Sequence, residues 1–207
     1  MNLVNQLMKN KQILVFILLL APLSSLAQSE FGVKIGANAS NFVLPASFSS
    51  EVENSYKVGI LLGVTRKLNI GEKSAILVEL LYTQKGSNAE PQTAFEDRLS
   101  LSYFNVPVLL EYGLSSRLKF VAGSEVGYLL EATLEHNGND FDIKDNFQSL
   151  DLGAVLGLSY DLSDHFYLEV RVVQGLTNAQ NMVGEGNTDQ KYWGRNRSIQ
   201  LGTSLRL

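Results

Sequence analysis

Apolar and polar residues alternate along most of the chain after residue 30, and this pattern limits the possible folds more than any other feature. In the first such segment, Phe31 and Val33 share one face of an extended chain, and Gly32 and Lys34 share the other. A period of two residues is that of a β-strand, because successive side chains point to opposite faces. The segments begin near Phe31, Tyr56, Ala75, Phe104, Lys119, Leu152, Phe166 and Ile199. We therefore predict an all-β chain of eight strands.

The connections between these strands alternate in length. The short ones are Asn69–Ser74, Gly113–Leu118 and Asp161–His165. The long ones, which are also polar, are Phe42–Ser55, Gly86–Arg98, Glu135–Leu150 and Thr177–Arg195. Tight periplasmic turns and long outer loops are typical of barrels in outer membranes. The order predicts an eight-stranded antiparallel up-and-down transmembrane β-barrel.

The glycines indicate which face of the strands lines the barrel. Ten of them fall on the polar face: Gly32, Gly36, Gly59, Gly63, Gly123, Gly127, Gly153, Gly157, Gly175 and Gly202. Glycine weakens a strand, so this placement needs a physical reason. The interior of an eight-stranded barrel is barely wide enough for side chains, and glycines there would make room for long charged residues. We expect the polar face inside and the apolar face against lipid.

Aromatic residues of the apolar face support the same orientation. One set lies beside the short turns: Phe31, Tyr112, Phe120, Tyr160 and Phe166. A second set lies near the long loops: Tyr56, Tyr82, Phe104 and Tyr128. Two belts at opposite rims are typical of aromatic rings at two membrane interfaces. The alternative is a soluble lipocalin-like barrel in the periplasm, whose apolar face points inward and holds an apolar ligand.

A few positions depart from the pattern. Leu101 and Tyr103 are out of phase with the residues from Phe104 onward, which predicts a bulge near Tyr103. Arg66 and Gln174 are polar residues on the apolar face. Arg66 lies near a short turn, where we expect its guanidinium to reach the lipid head groups.

The N-terminal segment has the pattern of an export signal. Lys9 and Lys11 precede an apolar run, Ile13–Ala21, and small residues, Ser25 and Ala27, follow it. Nine apolar residues are too few for a helix that spans a membrane, and the order is that of a secretory signal peptide. We predict a signal peptide over residues 1–27 and an outer-membrane barrel domain over residues 28–207. The absence of cysteine excludes a lipidated N-terminus and fits an oxidising compartment.

The inward face carries charges of both signs. They are Lys34, Lys57, Glu79, Lys85, Glu111, Glu125, Glu131, Asp151, Glu169, Arg171 and Arg206. Charges in a narrow lumen must form ion pairs or remain hydrated, because the burial of an isolated charge has a large free-energy cost. We predict a structural polar network made of Lys34, Glu79, Glu111, Glu125, Glu169, Arg171 and Arg206, with Glu125 and Arg171 at similar heights. The alternative is a narrow path for protons or ions.

The sequence gives little support to catalysis. His165 lies in a short turn and His136 in the third outer loop, each with acidic neighbours. A rim hydrolase at either histidine is an alternative, but such clusters are common in polar loops. We predict no catalytic, cofactor-binding or metal-binding residues. The net charge of −4 argues against a nucleic-acid partner.

Four segments resemble a known family. They are GVKIGANASNF, LVELLYTQKGS, LSYFNVPVLLEYGL and DLGAVLGLSYDLSDHFYLEVRVVQGLTN, and they are similar to the PorT-like outer-membrane β-barrels of the Bacteroidota, often labelled the porin family. The resemblance implies an eight-stranded barrel in the cell outer membrane, and the family member that gives the name is linked to protein secretion. Many such barrels end in an aromatic residue, whereas this chain ends in Leu207.

These inferences lead to a non-enzymatic protein of the outer membrane. We expect a monomer that acts as a scaffold or binding protein through its outer loops, with a link to envelope integrity or secretion. Its expected partners are outer-membrane lipid, the barrel-assembly machinery during insertion, and an extracellular or periplasmic partner that the sequence does not identify. No cofactor is expected.

Overall fold

The computed structural model describes residues 29–43, 53–90, 97–136, 138–179, 182–183, 191–192 and 194–207. The predicted signal peptide, residues 1–27, and parts of the long loops lie outside these residues. The strands within them are β1 (Ser29–Val43), β2 (Glu53–Asn69), β3 (Ser74–Glu90), β4 (Asp97–Gly113), β5 (Leu118–His136), β6 (Asn139–Asp142), β7 (Leu150–Asp161), β8 (Phe166–Gly175), β9 (Met182–Val183), β10 (Lys191–Tyr192) and β11 (Arg195–Arg206). A 3-10 turn covers Lys144–Asn146. No helix among the described residues is long and apolar enough to cross a membrane.

Eight of these strands form a closed antiparallel barrel. The hydrogen-bonded order is β4, β3, β2, β1, β11, β8, β7 and β5, and β5 pairs in turn with β4. The first and last barrel strands, β1 and β11, pair along their length from Gly32–Arg206 to Val43–Arg195. The predicted eight-stranded antiparallel barrel is therefore confirmed. The short β6 extends the sheet at the end of β5, within the third long loop.

The two faces of the barrel have opposite character. On the outside, Val58 is 73% exposed, and most of the other large apolar residues of the alternating pattern are exposed with it. On the inside, Lys34 is 3% exposed and Arg171 1%. The predicted orientation is confirmed, and the lipocalin-like alternative, which needs the apolar face inside, is wrong. The two aromatic belts lie on the outside, at the end with the short turns (the short-turn end) and at the opposite, long-loop end.

The inward glycines allow neighbouring strands to approach closely. Gly36 of β1 lies directly opposite Gly202 of β11. A Cβ atom at Gly36 would lie 2.3 Å from the carbonyl oxygen of Leu201 and 2.8 Å from the Cα atom of Gly202. These contacts are too close for any other residue without a shift of the backbone. Glycine here therefore permits the strong coiling of a small barrel as well as making room for long side chains.

The predicted irregularity near Tyr103 is present, but the extra residue lies on the neighbouring strand. Ser102 pairs with Glu131 and Tyr103 pairs with Leu129, so that Leu130 of β5 has no opposite residue. Strand β4 keeps its alternation, and Tyr103 points inward. The bulge turns Glu131 to the outside, where it is exposed, so its prediction as a lumen residue is wrong.

An apolar wall occupies part of the barrel interior. It consists of Leu77, Leu109, Val121, Val155 and Val173. These residues come from β3, β4, β5, β7 and β8, which are consecutive around the barrel. Charged side chains of the same strands, among them Glu79, Glu125 and Glu169, also point into the lumen.

We predict that Gly36→Val prevents barrel closure, because the added side chain meets the backbone of β11. The matched control is Ala37→Val, which places the same side chain on the exposed face of the same strand. Heat-modifiable migration on gels, after folding into lipid vesicles, measures the folded fraction. The expected result is a large loss for Gly36→Val and little change for Ala37→Val. Equal folding of the two variants would contradict this account.

Candidate functional site

Four buried charges meet near the middle of the lumen, and we call them the central quartet: Lys34, Glu79, Glu169 and Arg171. The ammonium of Lys34 lies 2.8 Å from Glu79 Oε1 and 2.6 Å from Glu169 Oε1. The guanidinium of Arg171 lies 2.7 Å from Glu79 Oε2 and 3.2 Å from Glu169 Oε1. Each cation therefore contacts both carboxylates.

The composition of the central quartet explains why it tolerates burial. Two positive and two negative charges cancel, and the Nε of Arg171 donates a further hydrogen bond of 2.7 Å to Gln200 Oε1. Burial of a charge costs several kcal/mol unless an opposite charge and hydrogen bonds compensate it, and removal of one partner leaves that cost uncompensated. The quartet joins β1, β3, β8 and, through Gln200, β11 across the lumen.

A second group of polar residues, the Lys85 group, joins other strands. The ammonium of Lys85 lies 2.8 Å from Glu125 Oε1, 3.9 Å from Asp151 Oδ2 and 5.2 Å from the ring centre of Tyr103. Asn196 Nδ2 donates hydrogen bonds to Asp151 Oδ2 at 2.8 Å and to the Tyr103 hydroxyl at 3.3 Å. The group therefore connects β3, β4, β5, β7 and β11.

A ring of alternating charges surrounds the lumen at the short-turn end. In order around the barrel, the residues of this mouth ring are Glu30, Lys67, Glu111, Lys119, Asp161 and Arg206. Lys67 pairs with Glu111 at 2.6 Å, and Lys119 pairs with Glu111 at 3.4 Å and with Asp161 at 2.7 Å. Arg206 pairs with Asp161 and, at 3.5 Å, with Glu30. Glu30 is opposite Lys67 in the β1–β2 register, which completes the circle.

Apolar side chains fill the lumen at the long-loop end. This outer apolar cluster consists of Phe42, Leu101, Tyr103, Leu129, Ala132, Phe147 and Ala179. Phe147 and Ala179 come from the third and fourth long loops, and Phe147 packs edge-on against Phe42 with ring centres 6.2 Å apart. The cluster therefore lies between the lumen charges and the outer surface.

A polar cavity of about 400 Å³ opens at the short-turn end. It is lined by Lys67, Glu111 and Lys119 of the mouth ring and by residues of the adjacent turns, including Lys73 and Ser115. The charges that line it already pair with one another. The cavity is thus the entrance to the lumen from one side.

The predicted network residues fall into three separate groups. Lys34, Glu79, Glu169 and Arg171 form the central quartet, Glu125 belongs to the Lys85 group, and Glu111 and Arg206 belong to the mouth ring. Glu125 and Arg171, which we expected at similar heights, are four residues apart in strand register, since Glu125 is opposite Gly153 and Arg171 opposite Gly157.

Sequence reasoning missed several residues of this site. Lys67, Lys119 and Asp161 of the mouth ring have the inward phase beside short turns, a signal that was available in the sequence. Phe147 and Ala179 lie in loops without periodicity, so no sequence pattern identified them as lumen residues.

The two histidines lie at opposite ends of the barrel. His136 ends β5 at the long-loop end, and His165 lies in the turn between β7 and β8. Within the described part of the chain, no group of three or more His, Cys, Asp or Glu side chains is placed to hold a metal ion.

The architecture resembles that of solved outer-membrane proteins. Neisserial surface protein A aligns with a TM-score of 0.56 and 14% identity over 87% of this chain and 99% of that chain. Ail, the attachment invasion locus protein of Yersinia pestis, aligns with a TM-score of 0.49 and 12% identity over 87% and 99% of the two chains. OprG from Pseudomonas aeruginosa aligns with a TM-score of 0.48 and 13% identity over 86% and 96%. At 14% identity, the similarity to Neisserial surface protein A concerns the fold alone. No curated protein sequence matches this chain.

A closed barrel with an apolar exterior, two aromatic belts and a charged lumen defines an integral protein of the cell outer membrane. Residues 24–181 match the family described as outer membrane protein beta-barrel domain, and the chain belongs to this family. The short-turn end is then the periplasmic end, and the long loops face outward.

We predict that Arg171→Met destabilises the barrel by about 3–5 kcal/mol, because Glu79 and Glu169 then share only Lys34 as a counter-charge. The control is Arg98→Met, which breaks the half-exposed pair Arg98–Glu135 and should cost at most about 1 kcal/mol. Urea unfolding in lipid vesicles measures both. A loss for Arg171→Met no larger than the loss for Arg98→Met would remove the stabilising role of the quartet.

Proposed function

We propose that this protein is a closed, non-catalytic barrel that serves as a scaffold in the outer membrane and presents its outer loops to a binding partner. Within the outer-membrane barrels, we propose that it is a PorT-like member with a role in envelope integrity or secretion. The four sequence segments that resemble that family support this finer assignment. We propose that the protein is a monomer. Its proposed partners are the outer-membrane lipid around it, the barrel-assembly machinery during insertion, and one extracellular or periplasmic molecule.

The filled lumen is the observation that carries this proposal. The ion pairs of the central quartet and of the Lys85 group link strands across the lumen. The outer apolar cluster lies on the side of these pairs that faces the long loops. Hydrated ions need a continuous polar path, and an apolar constriction opposes one. These contacts favour a closed barrel over a narrow ion conduit.

The third long loop offers an outer surface that is anchored to the barrel. Strand β6 extends β5 by pairs from Thr133–Asp142 to His136–Asn139. The ammonium of Lys144 donates a hydrogen bond of 2.7 Å to the carbonyl oxygen of Leu130, and Phe147 inserts into the outer apolar cluster. An anchored loop loses less conformational entropy when a partner binds, which supports recognition at this surface.

Planar-bilayer recording tests the closed barrel. We expect no stepwise conductance from the purified protein in concentrated potassium chloride, because paired charges and apolar side chains occupy the lumen. An outer-membrane porin inserted under the same conditions controls for detection. Reproducible single-channel steps from this protein would contradict the proposal and favour the ion conduit.

A further inference from the structure

Two arginines at the long-loop end point away from the lumen. Arg195 and Arg197 are exposed, whereas Asn196 and Ser198, which alternate with them along β11, are buried. Both arginines therefore lie on the outer surface of the barrel, next to each other in one column. We call them the outer arginine pair.

Neutral groups, not carboxylates, hold the outer arginine pair. The Nε of Arg197 donates a hydrogen bond of 2.8 Å to Gln174 Oε1, and the Nε of Arg195 donates one of 3.4 Å to Asn178 Oδ1. Neither arginine forms an ion pair with any residue in the described ranges, whereas Arg98, on the same surface and at the same end, pairs with Glu135. The contact with Arg197 also explains why Gln174 is on the apolar face.

The outer arginine pair lies where the apolar band ends. Along β11, Arg195 and Arg197 are followed by Ile199, which is 45% exposed, and Leu201, which is 54% exposed. Two residues of a strand span about 7 Å, so Arg197 is about that distance from the first apolar side chain of its column. Val172 of the neighbouring strand is opposite Ile199 and is also exposed. This depth is that of the head groups of the outer leaflet.

We propose that the outer arginine pair binds the phosphate of an anionic glycolipid head group in the outer leaflet, while the acyl chains lie on Ile199 and Val172. Guanidinium groups present a planar set of donors that matches phosphate oxygens, and they stay charged at any physiological pH. The Nε of each arginine is oriented by an amide, which leaves the terminal nitrogens to face the ligand. This binding site is independent of the proposed scaffold function.

Lipid titration tests the site directly. The folded protein in phosphatidylcholine nanodiscs is mixed with diphosphoryl lipid A, and native mass spectrometry counts the bound lipid. We expect the double variant Arg195→Gln, Arg197→Gln to bind lipid A about tenfold or more weakly, since charged hydrogen bonds to phosphate are lost.

Two single variants serve as matched controls. Arg98→Gln removes a paired arginine from the same end, and Arg66→Gln removes an outward arginine from the short-turn end, where it contacts Ser29 and stacks over Phe31. Both should bind within about twofold of the unchanged protein. Heat-modifiable migration verifies that every variant is folded.

Three results would overturn the proposal. They are unchanged binding by the double variant, equal binding of lipid A without its phosphates, and displacement of bound lipid A by inorganic phosphate at millimolar concentration. The last result would show that the arginines bind a free anion and not a lipid. We expect that only the double variant loses lipid A binding. We also expect that binding requires the lipid phosphates and that inorganic phosphate does not displace the lipid.

Discussion

Closure of the sheet is the constraint on which the rest of the structure depends. The hydrocarbon core offers no partner to a backbone N–H or C=O group, so a chain that crosses it by strands must pair every strand on both sides. The pairing of β1 with β11 and of β4 with β5 meets this requirement. Closure with only eight strands leaves a narrow interior, which is why inward residues are either glycines or side chains that interlock.

A narrow interior also decides how charges are arranged. The central quartet is neutral, and the mouth ring alternates in sign, so each buried charge has an opposite charge within reach. The outer arginine pair follows a different rule, because its partners are amides and no carboxylate of the described residues pairs with either arginine. Charges inside the barrel thus serve cohesion, whereas we propose that the outer arginine pair binds a molecule of the membrane.

Features with a period of two residues could be predicted from the sequence. The strands, their faces, the inward glycines and the aromatic belts all follow from that period. Contacts between residues that are far apart in the sequence could not be predicted. Lys34 and Glu169 are 135 residues apart in sequence, and only the barrel closure brings them together. The alternation indicates an irregularity near Tyr103 but does not place the extra residue at Leu130, and the insertion of Phe147 from a loop has no periodic signal.

Accessibility of single cysteines tests the inside–outside assignment most directly, because the chain contains no native cysteine. Ser159 and Ser204 point inward, and cysteine is close to serine in size, whereas Leu158 and Leu201 point outward. Spin labels at each position, in a lipid bilayer, report collisions with oxygen from the hydrocarbon phase. The account predicts frequent collisions at positions 158 and 201 and few at positions 159 and 204. The reverse order would contradict an apolar exterior and with it the assignment to the outer membrane.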